Sequence, residues 1–364
     1  MAILRDVKSL RLDVRGGYEL LSLDKNAILE NTDDSLHGGV SPSYGGIKLG
    51  WTDYGASSIL IRPKENGALY VNKRRFKGEL LITKTEQNKL LAVNRVGVEE
   101  YLKGVLYHEI SHRWPMEAIK AQGIVARTYA LYLARGRKDK LYDLTCDVYS
   151  QMYGGATSER RRLSRAVIKT KGLVLKYNGD IFPAYYHSTC GGHTEAASEL
   201  WGVEVEPLKG VPCEFCKKSR HYAWRAESAL DALTQKLLQR GVNAKGLSAI
   251  EAGQRNGSGR ITKLFLKGIE GNVEISAKDF REAVGTKLIR STNFTVSVKD
   301  GAARFDGVGW GHGVGLCQWG AYFMAKEGKS VQQILSYYYP GSRVEGVGSR
   351  VNVNDQPSTL TPIP

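Results

Sequence analysis

No apolar run in this sequence is long enough to cross a membrane. The first residues, MAILRDVKSLRLDV, lack the apolar stretch of a secretory leader, so the chain is expected in the cytosol or as a mature form whose leader has been removed. Cysteine is scarce: five in 364 residues exclude a disulfide scaffold, and the odd number leaves at least one unpaired or bound to something else. No G-x-S-x-G elbow is present, which removes the usual serine-hydrolase reading. The glycine-rich stretch near the end lacks the Lys-Ser/Thr of a phosphate loop. Acidic residues are outnumbered, 37 against 52 basic, and the net charge of +15 suits an anionic partner. Helix-turn-helix, zinc-finger and RNP patterns are missing, so nucleic acid is not the expected partner. Anionic lipid and a cell-wall polymer remain fitting ones.

What is there reads as α+β. From Ala2 to about Val93, short alternating runs such as YELLSL, SSILIRP and GELLITK are separated by Gly, Asn and Asp. They predict a β-rich platform over 1–93, with an Asn66-Gly67 hairpin. A helical and loop segment follows over 94–200, with the candidate glutamate Glu109 near its start. A third part, 201–345, alternates helix and strand and is expected to complete a cleft with the first two. The Pro/Thr/Ser-rich end, 346–364, reads as a flexible tail.

The stretch from Val98 to Ala134 organises the rest. Val98, Leu102 and Val105 recur at helical spacing, and Glu109 is the next position on that face. A carboxyl at the end of a buried stripe has its pKa raised, as a general acid near neutral pH requires. The plainer alternative is a helix-end carboxylate in water, or one paired with Arg113 or Arg127. Pro115 then opens a second helix, whose Ile119, Gly123, Ala126 and Ala130 make a close-packing face. The same stretch contains His108-Glu109-Ile110-Ser111-His112, a literal H-E-x-x-H, which predicts a zinc amidase or peptidase if both histidines share a helical face. Trp114-Pro115 follows too closely to favour that.

Farther along, Ser150, Gln151 and Tyr153 lie in an aromatic polar loop and are types that bind sugars and amides. Asn178-Gly179 predicts a hairpin. It leads to His187, Ser188, Thr189, Cys190, Gly191 and Gly192, where paired glycines would let a ligand approach the backbone. Gly311, His312 and Gly313 present an imidazole expected to be exposed, with Gln318 opening the next helix. Cys213 and Cys216 form a C-x-x-C. With Cys190 and one histidine, His193 being a candidate, they would make a closed structural zinc site. A Cys213–Cys216 redox pair and free buried thiols are the rival readings.

Six segments together resemble the stage II sporulation protein D (SpoIID)/LytB-type family of peptidoglycan lytic transglycosylases. They are VEEYLKGVL-x-x-E, WPMEAIKAQGIVARTYAL, SQMYGG, YYHSTCGGHTE, FDGVGWGHGVGLCQWGAYFMA and ILSYYYPG, in family order from about Ala92 to Gly341. The resemblance implies that Glu109 is the catalytic residue. It implies that Ser150, Gln151, Tyr153, the His187–Gly192 turn, Gly311, His312, Gly313 and Gln318 line a glycan cleft. The implied reaction cleaves the bond from MurNAc to GlcNAc without water, leaving a 1,6-anhydro end. It needs no cofactor, and a structural zinc is the one metal expected. Peptide-stripped glycan strands are the implied substrate, a cell-wall amidase the implied partner, and an extracytoplasmic wall space the implied location. Related proteins include amidase enhancers, so a noncatalytic wall-binding module is the alternative. Cys190 and Cys317 stand where family members often carry serine.

Overall fold

The computed structural model describes residues 1–136, 141–146 and 151–347. The expected tail beyond 347 therefore lies outside the described residues. The chain is a mixed α+β protein, as its patterns predict, and its contacts divide into two compact units. One holds Met1–Trp114 and Gln122–Val174; the other holds Pro115–Ala121 and Leu175–Glu345. These limits differ from the expected breaks at 93 and 200.

In the first unit, one six-stranded sheet runs Ala2–Val7, Leu90–Arg95, Glu79–Lys84, Ser58–Pro63, Tyr18–Ser22, Ala27–Thr32. A second runs Arg74–Phe76, Ala68–Val71, Leu10–Arg15, Leu36–Pro42, Ile47–Leu49, Thr52–Asp53. Alternation explains the second sheet's Leu10–Arg15, where Leu10, Leu12 and Val14 are buried while Arg11 and Arg15 face water. In the first sheet the central strands are apolar on both faces. Leu60, Leu81, Leu91 and Val93 cluster with Ala2 on one side, and Ile59, Ile61, Leu80, Ile82 and Leu90 are buried on the other. The strands Ala27–Thr32 and Leu36–Pro42 escape a reading by apolar alternation because Ala27, Ile28 and Leu29 are consecutive and exposed or half-buried in the first, and two glycines interrupt the second. Asn66-Gly67 does form a turn, with the Gly67 N–H donating to Lys64 O at 2.7 Å. It is not a hairpin: the strand before it belongs to the first sheet and the one after it to the second.

Among the described residues, this unit also holds α1 (Val98–Glu109), most of α2 (Met116–Arg135) and α3 (Arg161–Lys169). Helix α1 carries Glu99 and Glu100 in its first turn, where the helix dipole favours them. Helix α2 is apolar nearly all round, and every residue from Gln122 to Thr128 is buried. Among these is Arg127, with no exposed surface. Its Nε and Nη2 donate to the two Glu99 oxygens at 2.9 and 2.7 Å, and Nη1 donates to Leu173 O at 3.0 Å. Glu99 Oε1 also accepts the Gly172 N–H at 3.0 Å. One buried guanidinium thus joins α1, α2 and the strand that follows α3. Arg127 is committed to Glu99 and does not take the Glu109 partnership considered above. Asn94, fully buried, donates to Lys77 O and Glu79 O at 2.8 and 3.0 Å and accepts the Tyr153 hydroxyl at 2.9 Å. Lys77 pairs with Glu100 at 2.6 Å and Glu159 at 3.0 Å. These polar ties bind the sheets to the helices within this unit.

The second unit contains α4 (Ala197–Trp201), α5 (Leu230–Leu238), α6 (Ala277–Val284), α7 (Gln318–Lys326) and α8 (Val331–Tyr338). Among its sheets are two of three strands each: Ala223–Ala229, Ala302–Val308, Phe294–Lys299; and Ala249–Ala252, Lys263–Gly268, Gly271–Ser276. Their core gathers Trp224, Leu233, Leu237, Leu264, Phe280, Phe294 and Phe305. Asn178-Gly179 is the hairpin the sequence predicts. Both residues have positive φ, 51° and 83°, and Lys176 pairs with Ile181 across it. A two-stranded parallel pair, Tyr186–His187 with Leu316–Cys317, brings the HSTCGG turn beside the start of α7.

Replacing Arg127 by Met strands the Glu99 carboxylate, and a loss of about 3–5 kcal/mol is expected. Urea unfolding followed by circular dichroism measures it. An unchanged midpoint would show that the buried pair contributes nothing.

Candidate functional site

Glu109 is the last residue of α1 and is half-buried. The stripe behind it is as expected: Leu102, Val105 and Leu106 have no exposed surface. Ile110 stops the helix by turning extended (φ −143°, ψ 159°) and burying its own side chain. Glu109 therefore sits at a helix C-terminus fixed on both sides by apolar burial. The buried Tyr101 phenol lies in the field of Glu109, and its pKa is well above the ordinary value, through burial first and the Glu109 charge second.

The zinc-peptidase reading does not survive this geometry. His108 is on α1, but His112 lies beyond the helix end, so the two imidazoles share no helical face. His108 Nε2 instead lies 2.9 Å from Ser158 Oγ. Burial, then Arg74 and Arg160, holds His108 below the usual imidazole range.

Ser150 lies outside the described residues. Gln151 and Tyr153, expected to meet substrate, are both buried in the structure. Gln151 Oε1 accepts the Tyr101 hydroxyl at 3.0 Å, and the Tyr153 hydroxyl is spent on Asn94. They support α1 from inside, because a polar side chain with no access to water must find its partners in the protein.

In the second unit, His187, Thr189 and Gln318 are buried, while Ser188, Gly191, Gly192, Gly311 and His312 are half-buried. The turn is locked to the glycine-rich strand: Thr189 and Trp310 exchange both backbone hydrogen bonds, at 3.1 and 2.7 Å. The Ser188 hydroxyl is 3.4 Å from that of Thr189. His312 is not the exposed imidazole expected. Its ring packs among Trp201, His187 and Tyr185, with centroids 5.2, 5.6 and 6.1 Å away. Nδ1 accepts the Val314 N–H at 3.1 Å, which makes Nε2 the protonated nitrogen, donating to Tyr186 O at 2.9 Å. Burial, followed by Arg281, pushes the His312 pKa down to about 3. His187 is likewise lowered well below its ordinary value, by burial and then His312. The space at two glycines is filled by the protein itself. A β-carbon on Gly311 would meet His187 Cβ at 2.8 Å, and one on Gly313 would meet the Arg260 guanidinium at 2.5 Å. Sequence reasoning passed over Trp310, whose indole lies between the Arg290 guanidinium at 4.7 Å and the His221 ring at 5.1 Å. An aromatic beside a glycine-rich turn is the signal that could have found it.

The cysteines converge. Sulfur atoms of Cys190, Cys213, Cys216 and Cys317 all lie within 4.8 Å of one another, and all four residues are fully buried. Three were expected; the fourth is not His193. That imidazole turns away, its Nδ1 2.6 Å from Thr194 O. Cys317 reaches the group because the parallel pairing of its strand with Tyr186–His187 carries it there. Cys146 stands apart, with Sγ 3.2 Å from Tyr153 O.

The stage II sporulation protein D of Bacillus subtilis is 30% identical over 276 residues, covering 72% of this chain and 78% of that protein. The chain belongs to the SpoIID family. The family model, described as SpoIID: Stage II sporulation protein, matches residues 86–177, a span that includes Glu109. A second, described as a domain of unknown function, matches 214–315. An uncharacterized protein of Brachyspira hyodysenteriae is 36% identical over 269 residues, 74% of this chain and 72% of that one. The amidase enhancer of Bacillus subtilis is 30% identical over 66% of this chain, which spans 40% of that longer protein.

The neutral histidines give a pH prediction. Below the unfolded pKa of about 6.5, the unfolded chain takes up protons that folded His312 and His187 refuse, so stability falls as pH drops towards the depressed folded values. The loss approaches about 1.4 kcal/mol per pH unit for each histidine. Urea midpoints between about pH 7 and pH 5 should decline, and less steeply in His312→Gln. Equal slopes would show that His312 titrates alike in both states.

Proposed function

We propose that the chain is a peptidoglycan lytic transglycosylase with Glu109 as its single acid and base. The observation that carries this reading is the position of Glu109: half-buried, inside the SpoIID-matched segment, at the end of a helix whose inner face is locked. The negative end of a helix dipole disfavours a carboxylate and favours the neutral acid. That is the state needed for the first step.

Protonated Glu109 gives its proton to the oxygen that joins MurNAc to GlcNAc, and the bond from that oxygen to C1 breaks. Positive charge builds on the MurNAc ring as an oxocarbenium-like species. The Glu109 carboxylate then takes the proton from the C6 hydroxyl of the same sugar. Its oxygen attacks C1 and closes the 1,6-anhydro ring, and the enzyme is returned to its protonated state. No water enters, so no second carboxylate is needed to activate one. The substrate is a glycan strand stripped of its peptides, which makes an amidase the natural supplier and partner. This chemistry belongs outside the cytoplasmic membrane, where the wall lies. The net charge of +15 suits an anionic wall.

A second reading rests on the amidase enhancer among the relatives: a wall-binding module that promotes an amidase and cleaves nothing itself. Digestion of denuded glycan strands separates the two. Wild type should release anhydro-sugars detected by mass spectrometry, and Glu109→Gln should lose about 10²–10⁴-fold in rate. Equal product from the variant would remove Glu109 from its role. Absence of product from wild type, with sacculus binding retained, would favour the enhancer.

A further inference from the structure

We infer that Cys190, Cys213, Cys216 and Cys317 form a closed tetrathiolate site for one zinc ion, built to hold the HSTCGG turn. The inference stands without the glycan reading.

The spacing suits one metal. Zinc bonded to four sulfurs at about 2.3 Å sets those sulfurs about 3.8 Å apart. Here all four fall within 4.8 Å, and Cys190 and Cys216 are 3.3 Å apart. A disulfide needs about 2.05 Å and would engage two of the four. An iron–sulfur cluster spreads its cysteines over separate irons and needs a wider cage.

The surroundings are those of thiolates. The backbone N–H groups of Cys190 and Gly320 both donate to Cys317 Sγ, at 3.3 Å each. The Tyr338 hydroxyl lies 3.1 Å from Cys213 Sγ, where it donates once that sulfur carries charge. Such donors are the outer shell that orients metal ligands. Behind them lies Arg260, 1% exposed, with Nη2 on Cys190 O at 2.6 Å. Its Nε is buried without a hydrogen-bond partner. A buried cation with an unspent donor is costly beside four neutral thiols and favourable beside a tetrathiolate whose net charge is negative.

The fold supplies the reason. From Ser188 to Tyr222 the chain forms little more than the five-residue α4 and short 3-10 turns. The apolar cluster around Trp224, Phe280 and Phe305 takes no residue from this segment, whose own buried apolar side chains are few, Ala197, Val203 and Leu208 among them. A metal tying Cys190, the C-x-x-C and the start of α7 adds a staple to that sparse apolar packing. Loading exchanges S–H bonds for Zn–S bonds, with the protons released to solvent and no change in oxidation state. All four sulfurs are enclosed and every position is filled, so the ion is structural and takes no part in bond breaking.

Metal analysis of the purified full chain tests this. About one zinc per chain is expected, with X-ray absorption giving four sulfurs at about 2.3 Å. Cys146→Ser should retain zinc fully, and so should Glu109→Gln, which separates this result from the glycan one. Tyr338→Phe should weaken zinc retention about tenfold or more. Should cysteine variants fail to fold, wild type loaded with cobalt(II) answers instead, through the intense visible bands of a tetrahedral thiolate complex. A metal-free chain with four free thiols would overturn the inference. So would a Cys190–Cys216 disulfide seen as the loss of two hydrogens, or iron in place of zinc.

Discussion

A guanidinium with no exposed surface must find every partner inside the protein, and Arg127 does so by binding Glu99 through two nitrogens. Much of the first unit follows from that demand. Glu99 opens α1, so its pairing sets the rotation of α1 about its axis. The rotation decides which residues of α1 are covered, and so where Glu109 emerges ten residues later. Asn94 and Tyr153 brace the same helix from the sheet side. The catalytic candidate is thereby held by polar contacts that lie well away from it. Such contacts are directional, which makes them better at fixing an orientation than apolar packing alone.

The second unit uses its glycines differently from what a ligand-binding loop suggests. Close approach is indeed what Gly311 and Gly313 permit, but the groups that approach are His187 and Arg260. The dense glycine segment is therefore a way of seating large polar side chains beneath a tight turn. The imidazole of His312, kept neutral by burial and held in one tautomer by two backbone groups, works as a wedge between Trp201 and His187.

Regular periodicity made much of this fold legible. The strand Leu10–Arg15, helices α1 and α2, and the hairpin at Asn178-Gly179 follow from residue patterns alone. The same dipeptide at Asn66-Gly67 misleads, because a turn sequence specifies a local bend and not which sheet the next strand joins. Glu109 was legible because its neighbours repeat at helical spacing. Gln151, Tyr153 and His312 were not, since burial of a polar side chain depends on partners distant in sequence. Cys317 illustrates the limit best. It lies 101 positions beyond Cys216, and only the parallel pairing of two very short strands brings it to the other sulfurs.

The end of α1 at Ile110 has a consequence for how this chain could change. The five letters His108-Glu109-Ile110-Ser111-His112 already spell a metallopeptidase signature, so no substitution is needed to complete it. What is missing is one turn of helix. To gain it, Ile110 would have to leave the interior, and Pro115 would have to move or be replaced. A signature complete in letters is thus separated from its chemistry by backbone conformation, and the same buried isoleucine that fixes Glu109 keeps the two apart.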